Sequence, residues 1–395
     1  MLYRRSATRL TALLVAVWLL MTGCGIRGQS VPATVPAPST LTAAWTRRYA
    51  PASLQVAGIP VIVGGRVLVS GPTGNLAAYD LASGAPLWQE QVMPASELPG
   101  PPLVVGSRVL IMAGGSLAAY DLATGARLWH VRPEALAVAS TKPLLFGGLV
   151  AVPAIGIPLY DPTTGNLVRD LAPGLRPWPT PSDLAVSQNE LLVATAAGAV
   201  HAYSQTGALL WTATAPPPTV SANQTLTFQY VGVDAGGPGV VIATEGVSTT
   251  CPTCLNDGTV RMIGLAAGSG KIIWTQAQGS DLPLLTMAHP RVVVETGQVA
   301  ATSLADGDLL WQFPQQGNRL YFSLGLVDGQ LLAFDASHGS LLLLDPMTGH
   351  TTDTQSVPYA AGLTDSLDTR PHLAAADGHV VVTTSDGHLV SFSLK

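Results

Sequence analysis

The sequence predicts an all-β fold: an eight-bladed β-propeller of four-stranded antiparallel blades, closed by pairing of its N- and C-terminal segments. Three observations predict it. A glycine recurs four residues ahead of a tryptophan or its stand-in: Gly84 and Trp88, Gly125 and Trp129, Gly165 and Arg169, Gly207 and Trp211, Gly270 and Trp274, Gly307 and Trp311, Gly349 and Asp353. The glycines are spaced by 41, 40, 42, 63, 37 and 42 residues, and a fixed period near forty signals a stacked or radial array. The last unit stops at Lys395, short of its outer strand, while LTAAWTRRYA near the start carries Trp45 where an outer strand belongs, with no inner strands before it.

Each unit reads as a Gly-containing turn, an apolar strand, a second tight turn, a strand ending in Tyr-Asp or Leu-Asp, a Thr-Gly or Ser-Gly turn, and an outer strand. GGRVLVSGPTGNLAAYDLASGAPLW is repeated almost residue for residue by GSRVLIMAGGSLAAYDLATGARLW. Short strands with such turns between them form antiparallel hairpins. The second glycine of the DLATG-like stretch suits a left-handed backbone, and Asp80, Asp121, Asp161 and Asp345 suit bonding to the turn amides. Recurring once per unit, these aspartates read as structural rather than catalytic. The tryptophans read as packing anchors between neighbouring sheets, a floor of stacked indoles for a cofactor being the alternative. Seven complete outer strands plus the segment around Trp45 give eight blades, whose radial arrangement hides most sheet edges.

The AYDLATGARLW segment resembles the tryptophan-docking repeat of the eight-bladed pyrroloquinoline-quinone (PQQ) type β-propellers, over about residues 41 to 395. Arg169 and Asp353 depart from that pattern, which leaves open how their two blades dock. The repeat specifies architecture and not activity, because it serves both quinoprotein dehydrogenases and non-catalytic scaffolds.

The N-terminus has Arg4, Arg5 and Arg9, an apolar run from Leu10 to Met21, then Thr22, Gly23 and Cys24. The run is short for a membrane span and reads as a secretory signal over residues 1–23. LLMTGC resembles a lipobox, which implies cleavage before Cys24 and its acylation, with an uncleaved anchor as the alternative. Multiple acyl chains give stable membrane attachment. Residues 24–40, rich in Pro, Ser and Ala, read as a tether that spans up to about 50 Å at roughly 3 Å per residue. Residues 41–395 form the propeller, expected on the extracytoplasmic face of a bacterial membrane, the outer one if the source has two.

The step from Gly207 to Gly270 is 63 residues. Two insertions within residues 212–257 account for it: TATAPPPTVSANQTLTFQ after Trp211, between two blades, and VSTTCPTCLNDG in the middle hairpin of the next. In an antiparallel blade both emerge on the face opposite the Thr-Gly turns. Loops on a rigid scaffold often carry binding, so this corner is either a partner or ligand site or a tolerated insertion. Cys251 and Cys254 are the only cysteines besides Cys24, and outside the cytoplasm they are expected to pair as a disulfide. A redox motif lacks its βαβ setting, and a structural zinc lacks a second ligand pair.

Of 395 residues, 47% are hydrophobic and 11% charged, with a formal net charge of -5. The chain folds nearly throughout, and it has no basic stripe for nucleic acid. No catalytic, cofactor-binding or metal site is expected. Quinoprotein dehydrogenases of this fold use adjacent cysteines, calcium held by carboxylate and amide side chains, and an aspartate base, and no Cys-Cys occurs here. Neither GxSxG nor GxxxxGK[ST] is present, and His379 and His388, each after a turn glycine, are expected at the surface. The reading is a lipid-anchored, monomeric, non-catalytic platform for an unidentified protein partner, possessing no cofactor and tied to the membrane through Cys24. In size, lipobox and blade number it is similar to the lipoprotein of the outer-membrane barrel-assembly machinery. The alternatives are a small-molecule or sugar-binding sensor, or a dehydrogenase using PQQ and calcium.

Overall fold

The computed structural model describes residues 40–51, 57–94, 99–133, 142–154, 156–171, 181–195, 199–214, 225–234, 239–250, 259–279, 284–288, 291–295, 299–313, 321–335, 338–358 and 371–395. The chain divides into Met1–Ala37 and Pro38–Lys395, and every described residue belongs to the second unit.

Eight four-stranded antiparallel sheets make up this unit, an eight-bladed propeller as the repeat predicts. Blades 1 to 7 run in sequence order over residues 59–91, 103–131, 144–170, 181–214, 225–279, 284–312 and 321–356. Blade 8 takes three strands from residues 372–394 and its outermost strand, Leu41–Arg48, from the N-terminus. That closing strand pairs antiparallel with His388–Leu394, from Leu41 opposite Leu394 to Arg48 opposite His388. Beyond it, the Thr40 and Lys395 backbones exchange two hydrogen bonds of 2.9 Å.

The core lies between the blades, in one apolar layer at each of the eight junctions. Alternation along each strand explains this. In blade 1, Leu68, Leu76 and Ala78 point at Val109, Ile111 and Tyr120 of blade 2, while Val67, Val69 and Tyr79 point at Val381 and Leu389 of blade 8. Middle strands buried on both faces read as continuous apolar runs such as VLIMA and LLLL, where a one-sided sheet would alternate.

Each strand carries the chain from one face of the ring to the other. The turns between first and second strands and between third and fourth strands share one face, and those among the described residues are tight. The reversals between second and third strands and the connections between blades occupy the opposite face.

The insertions of blade 5 differ from the expected loops. Thr225–Asp234 and Val240–Thr250 are strands of 10 and 11 residues, against 5 each for the equivalents in blade 1. Residues 225–229 and 247–250, expected in connections, pair with one another as far as Thr225 opposite Thr250. Two Thr-rich stretches therefore satisfied their backbone groups mutually instead of leaving them to solvent.

Candidate functional site

Tryptophans join the blades at six of the eight junctions. Each lies over the turn glycine of the following blade: Trp45 on Gly84, Trp88 on Gly125, Trp129 on Gly165, Trp211 on Gly270, Trp274 on Gly307 and Trp311 on Gly349. Five of the indoles donate Nε1–H to a carbonyl of the same turn: Trp45 to Leu81 at 2.8 Å, Trp88 to Leu122 at 3.0 Å, Trp129 to Pro162 at 3.2 Å, Trp274 to Leu304 at 2.9 Å and Trp311 to Pro346 at 2.9 Å. The receiving glycines have φ between +66° and +80°, and a Cβ there would sit within 3 Å of the ring. Only glycine meets both demands.

Three junctions differ. Arg169 reaches across to the Gln205 carbonyl at 3.0 Å, and Leu171 supplies the apolar contact to Gly207. Asp353 faces blade 8, where the chain ends interrupt the usual turn, and its Oδ2 accepts the backbone N–H of Leu41 at 2.6 Å. Both residues that depart from the repeat therefore still dock, one by a guanidinium and one by a carboxylate. Trp211, which borders the enlarged blade 5, donates instead to Glu190 Oε2 of its own blade at 3.2 Å.

The tight face carries the turn aspartates. Asp121 Oδ1 accepts from the Thr124 hydroxyl at 2.8 Å and from the Ala123 and Thr124 amides, and Asp80 is held in the same way by Ser83. These donors hold the carboxyls of Asp80 and Asp121 below the usual range, the hydroxyl contributing most. Backbone amides of Thr164 and Thr163 do the same for Asp161. One carboxylate oxygen of each, Oδ1, accepts these turn bonds, consistent with a structural role.

Every outermost strand is bulged one residue before its tryptophan or stand-in. The extra residue is Leu87, Leu128, Val168, Leu210, Ile273 and Leu310 in blades 1 to 6, and Thr352 and Ala44 in blades 7 and 8. All eight are exposed. A bulge breaks the ladder of an edge strand and so blocks pairing with another edge, but here it also displays an apolar side chain at the rim of six blades. The sequence signal was present as an apolar residue ahead of each Trp, and its meaning needed the register.

On the opposite face, the flanks of the two insertions in blades 4 and 5 come together, because Thr225 and Thr250 are partners. The long inner strand lies beside the two inner strands of blade 4. The roughly five additional residues per strand extend it by about 17 Å at 3.3 Å each. Cys24, Cys251 and Cys254 lie outside the described residues.

Among the described residues no three His, Cys, Asp or Glu groups converge to hold a metal. His388 is not at the surface as expected: its side chain is 15% exposed, with Nδ1 2.9 Å from Asp386 Oδ2. His379 is half-buried as well. Both begin strands of the blade that the N-terminal segment covers, which a local turn signal does not reveal.

The family model of the outer membrane protein assembly factor BamB matches residues 37–172, 156–321 and 237–395. No curated protein is similar in sequence. Among solved structures, BamB from Moraxella catarrhalis superposes with a TM-score of 0.61 at 17% identity, over 89% of this chain and 99% of its own. The computationally designed Ika8 protein gives 0.61 at 18%, over 86% and 96%. Quinohemoprotein alcohol dehydrogenase ADHIIG from Pseudomonas putida HK5 gives 0.58 at 12%, over 89% and 76%. At these identities the structures attest the fold alone. The three family matches together run from residue 37 to the last, and this chain belongs to the family of the outer membrane protein assembly factor BamB.

Proposed function

We propose that the protein is a non-catalytic platform in envelope protein assembly, anchored by lipid on Cys24 outside the cytoplasm and holding a partner protein at the corner built by blades 4 and 5. The observation that carries this reading is the paired strand extension of blade 5, Thr225 to Asp234 against Ile242 to Thr250. A rigid ring supplies the base, and the extension presents a surface that the other blades do not have. Residues 1–23 serve as the signal and 24–40 as the tether. Cys251 and Cys254 join as a disulfide that pins the tip between the second and third strands of blade 5. The ring acts as a monomer and needs neither PQQ nor calcium.

Membrane cross-linking tests the reading. With photoreactive groups at Thr225 and Thr250, the reading expects a repeatable protein adduct that is lost when Cys24→Ala releases the chain from the membrane. A chain still attached after Cys24→Ala refutes the anchor, and the absence of any repeatable adduct refutes the platform. Saturable binding of PQQ with calcium, accompanied by dye reduction, would establish a dehydrogenase in its place.

A further inference from the structure

We propose that the rim of the junction between blades 6 and 7, on the tight-turn face, docks a cationic, apolar-anchored segment of a partner protein. The proposal rests on the platform reading and adds to it a second surface with its own chemistry.

The repeats are their own control, because equivalent positions can be compared within one chain. The third residue of the turn between third and fourth strands is Ala82, Ala123, Thr163, Gly268 and Ala305 in blades 1, 2, 3, 5 and 6. In blade 7 it is Met347, 56% exposed. The residue after the turn glycine is Ala85, Ala126, Asn166, Ala208, Lys271 and His350 in six blades and Asp308 in blade 6. Asp306 stands where the other turns of this length have serine or threonine, and it is accounted for by the turn, since it trades places with Ser303 and accepts the Asp308 amide at 3.2 Å. Turn geometry does not need the Asp308 carboxyl or the Met347 side chain, because the other blades build the same turn without an acid or a large apolar residue there.

These departures adjoin. The Trp311 indole donates to the Pro346 carbonyl at 2.9 Å, so Leu310 and Met347 each stand one residue from the same hydrogen bond. Leu309, Leu310 and Met347 are 54%, 45% and 56% exposed, and Asp306, Asp308 and Asp345 belong to the two turns that border them. An apolar patch of this kind marks a contact surface.

Charge selects the occupant. From residue 299 to 395 the sequence has ten aspartates, at 306, 308, 328, 335, 345, 353, 365, 368, 377 and 386, against Arg319, Arg370 and Lys395. A sector with this excess of acidic residues attracts cations and raises their rate of encounter. It repels an anionic lipid surface, so a membrane is disfavoured as the occupant. The complement is a protein segment with Lys or Arg beside apolar anchors.

The test places a photoreactive residue at Leu310 or Met347 of the full chain in cells, with Leu87 and Thr225 as comparison sites. The expected result is a protein adduct at 310 and 347 whose cross-linked peptide carries Lys or Arg next to apolar residues, weakened about fivefold or more by Asp306→Asn with Asp308→Asn while the Thr225 adduct is unchanged. On purified full chain, a synthetic Leu-Lys peptide should bind at least about fivefold more weakly in the Met347→Ser variant and at 300 mM than at 50 mM salt, whereas a Leu-Glu peptide should not bind. Adducts to lipid, to a second copy of the chain or to an acidic segment overturn the proposal, as does a Leu-Lys affinity indifferent to the variants. If Thr225 gives a protein adduct and 310 and 347 give none, this surface fails and the platform stands. If no site gives one, both fail.

Discussion

Docking of an indole on a left-handed glycine makes a quantitative demand at the junction of blades 5 and 6. Trp274 is 7% exposed, donates to Leu304 at 2.9 Å and covers Gly307. Trp274→Ala removes a buried aromatic and is expected to cost about 3–5 kcal/mol. Gly307→Ala brings two penalties. The residue sits at φ +80°, which costs an alanine about 1–2 kcal/mol. The new Cβ would also lie 2.8 Å from Trp274 Cδ2 and Cε3, an overpacking worth about 1–3 kcal/mol. In the double variant the overpacking is gone, so Gly307→Ala should cost only its backbone strain. The cycle should therefore show about 1–3 kcal/mol less destabilisation than the sum of the single changes. Gly207→Ala is a natural comparison, since its new Cβ meets only Leu171 Cδ2 at 3.1 Å. Urea midpoints and slopes for the four members of the cycle provide the assay. Equal costs for Gly307→Ala with and without the indole would refute the docking argument.

Asp353→Ala should strip the acceptor from the Leu41 amide and weaken ring closure by about 1–3 kcal/mol, read as faster hydrogen exchange over residues 41–48 with residues 66–70 unchanged. Glu190→Ala should free the Trp211 indole N–H, seen as a shifted Nε1 resonance and a loss of about 1 kcal/mol; an unmoved resonance would contradict the contact. The turn carboxyls of Asp80, Asp121, Asp161 and Asp306 are lowered by their hydrogen bonds, so their contribution is complete above the unfolded value near 4 and is lost as pH falls through the lower folded values. Replacing all four by Asn should lower Tm at pH 7 and flatten its decline below about pH 4, and an unchanged acid slope would show that other groups govern it.

The ring was legible because its determinants are local and repeated. Gly84, Trp88 and their equivalents sit at fixed spacing, and a truncated final unit with a spare Trp45 implies that the ends meet. What escaped was decided between elements. Nothing around Asp353 says that it faces the one blade where chain ends interrupt the turn, and nothing near Arg169 names Gln205 as its acceptor. The bulges at Leu87 and its counterparts appear only once the register of neighbouring strands is known. The enlargement of blade 5 was visible as surplus length, but whether it becomes loop or strand depended on Thr225 finding Thr250. The rim of blades 6 and 7 was hidden for another reason: Met347 and Asp308 look ordinary alone and stand out only when aligned on the other turns.

Closure by the strand Leu41–Arg48 sets an order of events for the nascent chain. Leu41 is synthesised well before its partner Leu394, so blades 1 to 7 can each form from neighbouring hairpins while the eighth waits for His388–Leu394 to emerge. Contacts of such separation in sequence come late and expose unpaired edges meanwhile. A chain lacking His388–Leu394 would leave Leu41–Arg48 without its partner, and emergence of that strand thus becomes the checkpoint for a closed ring.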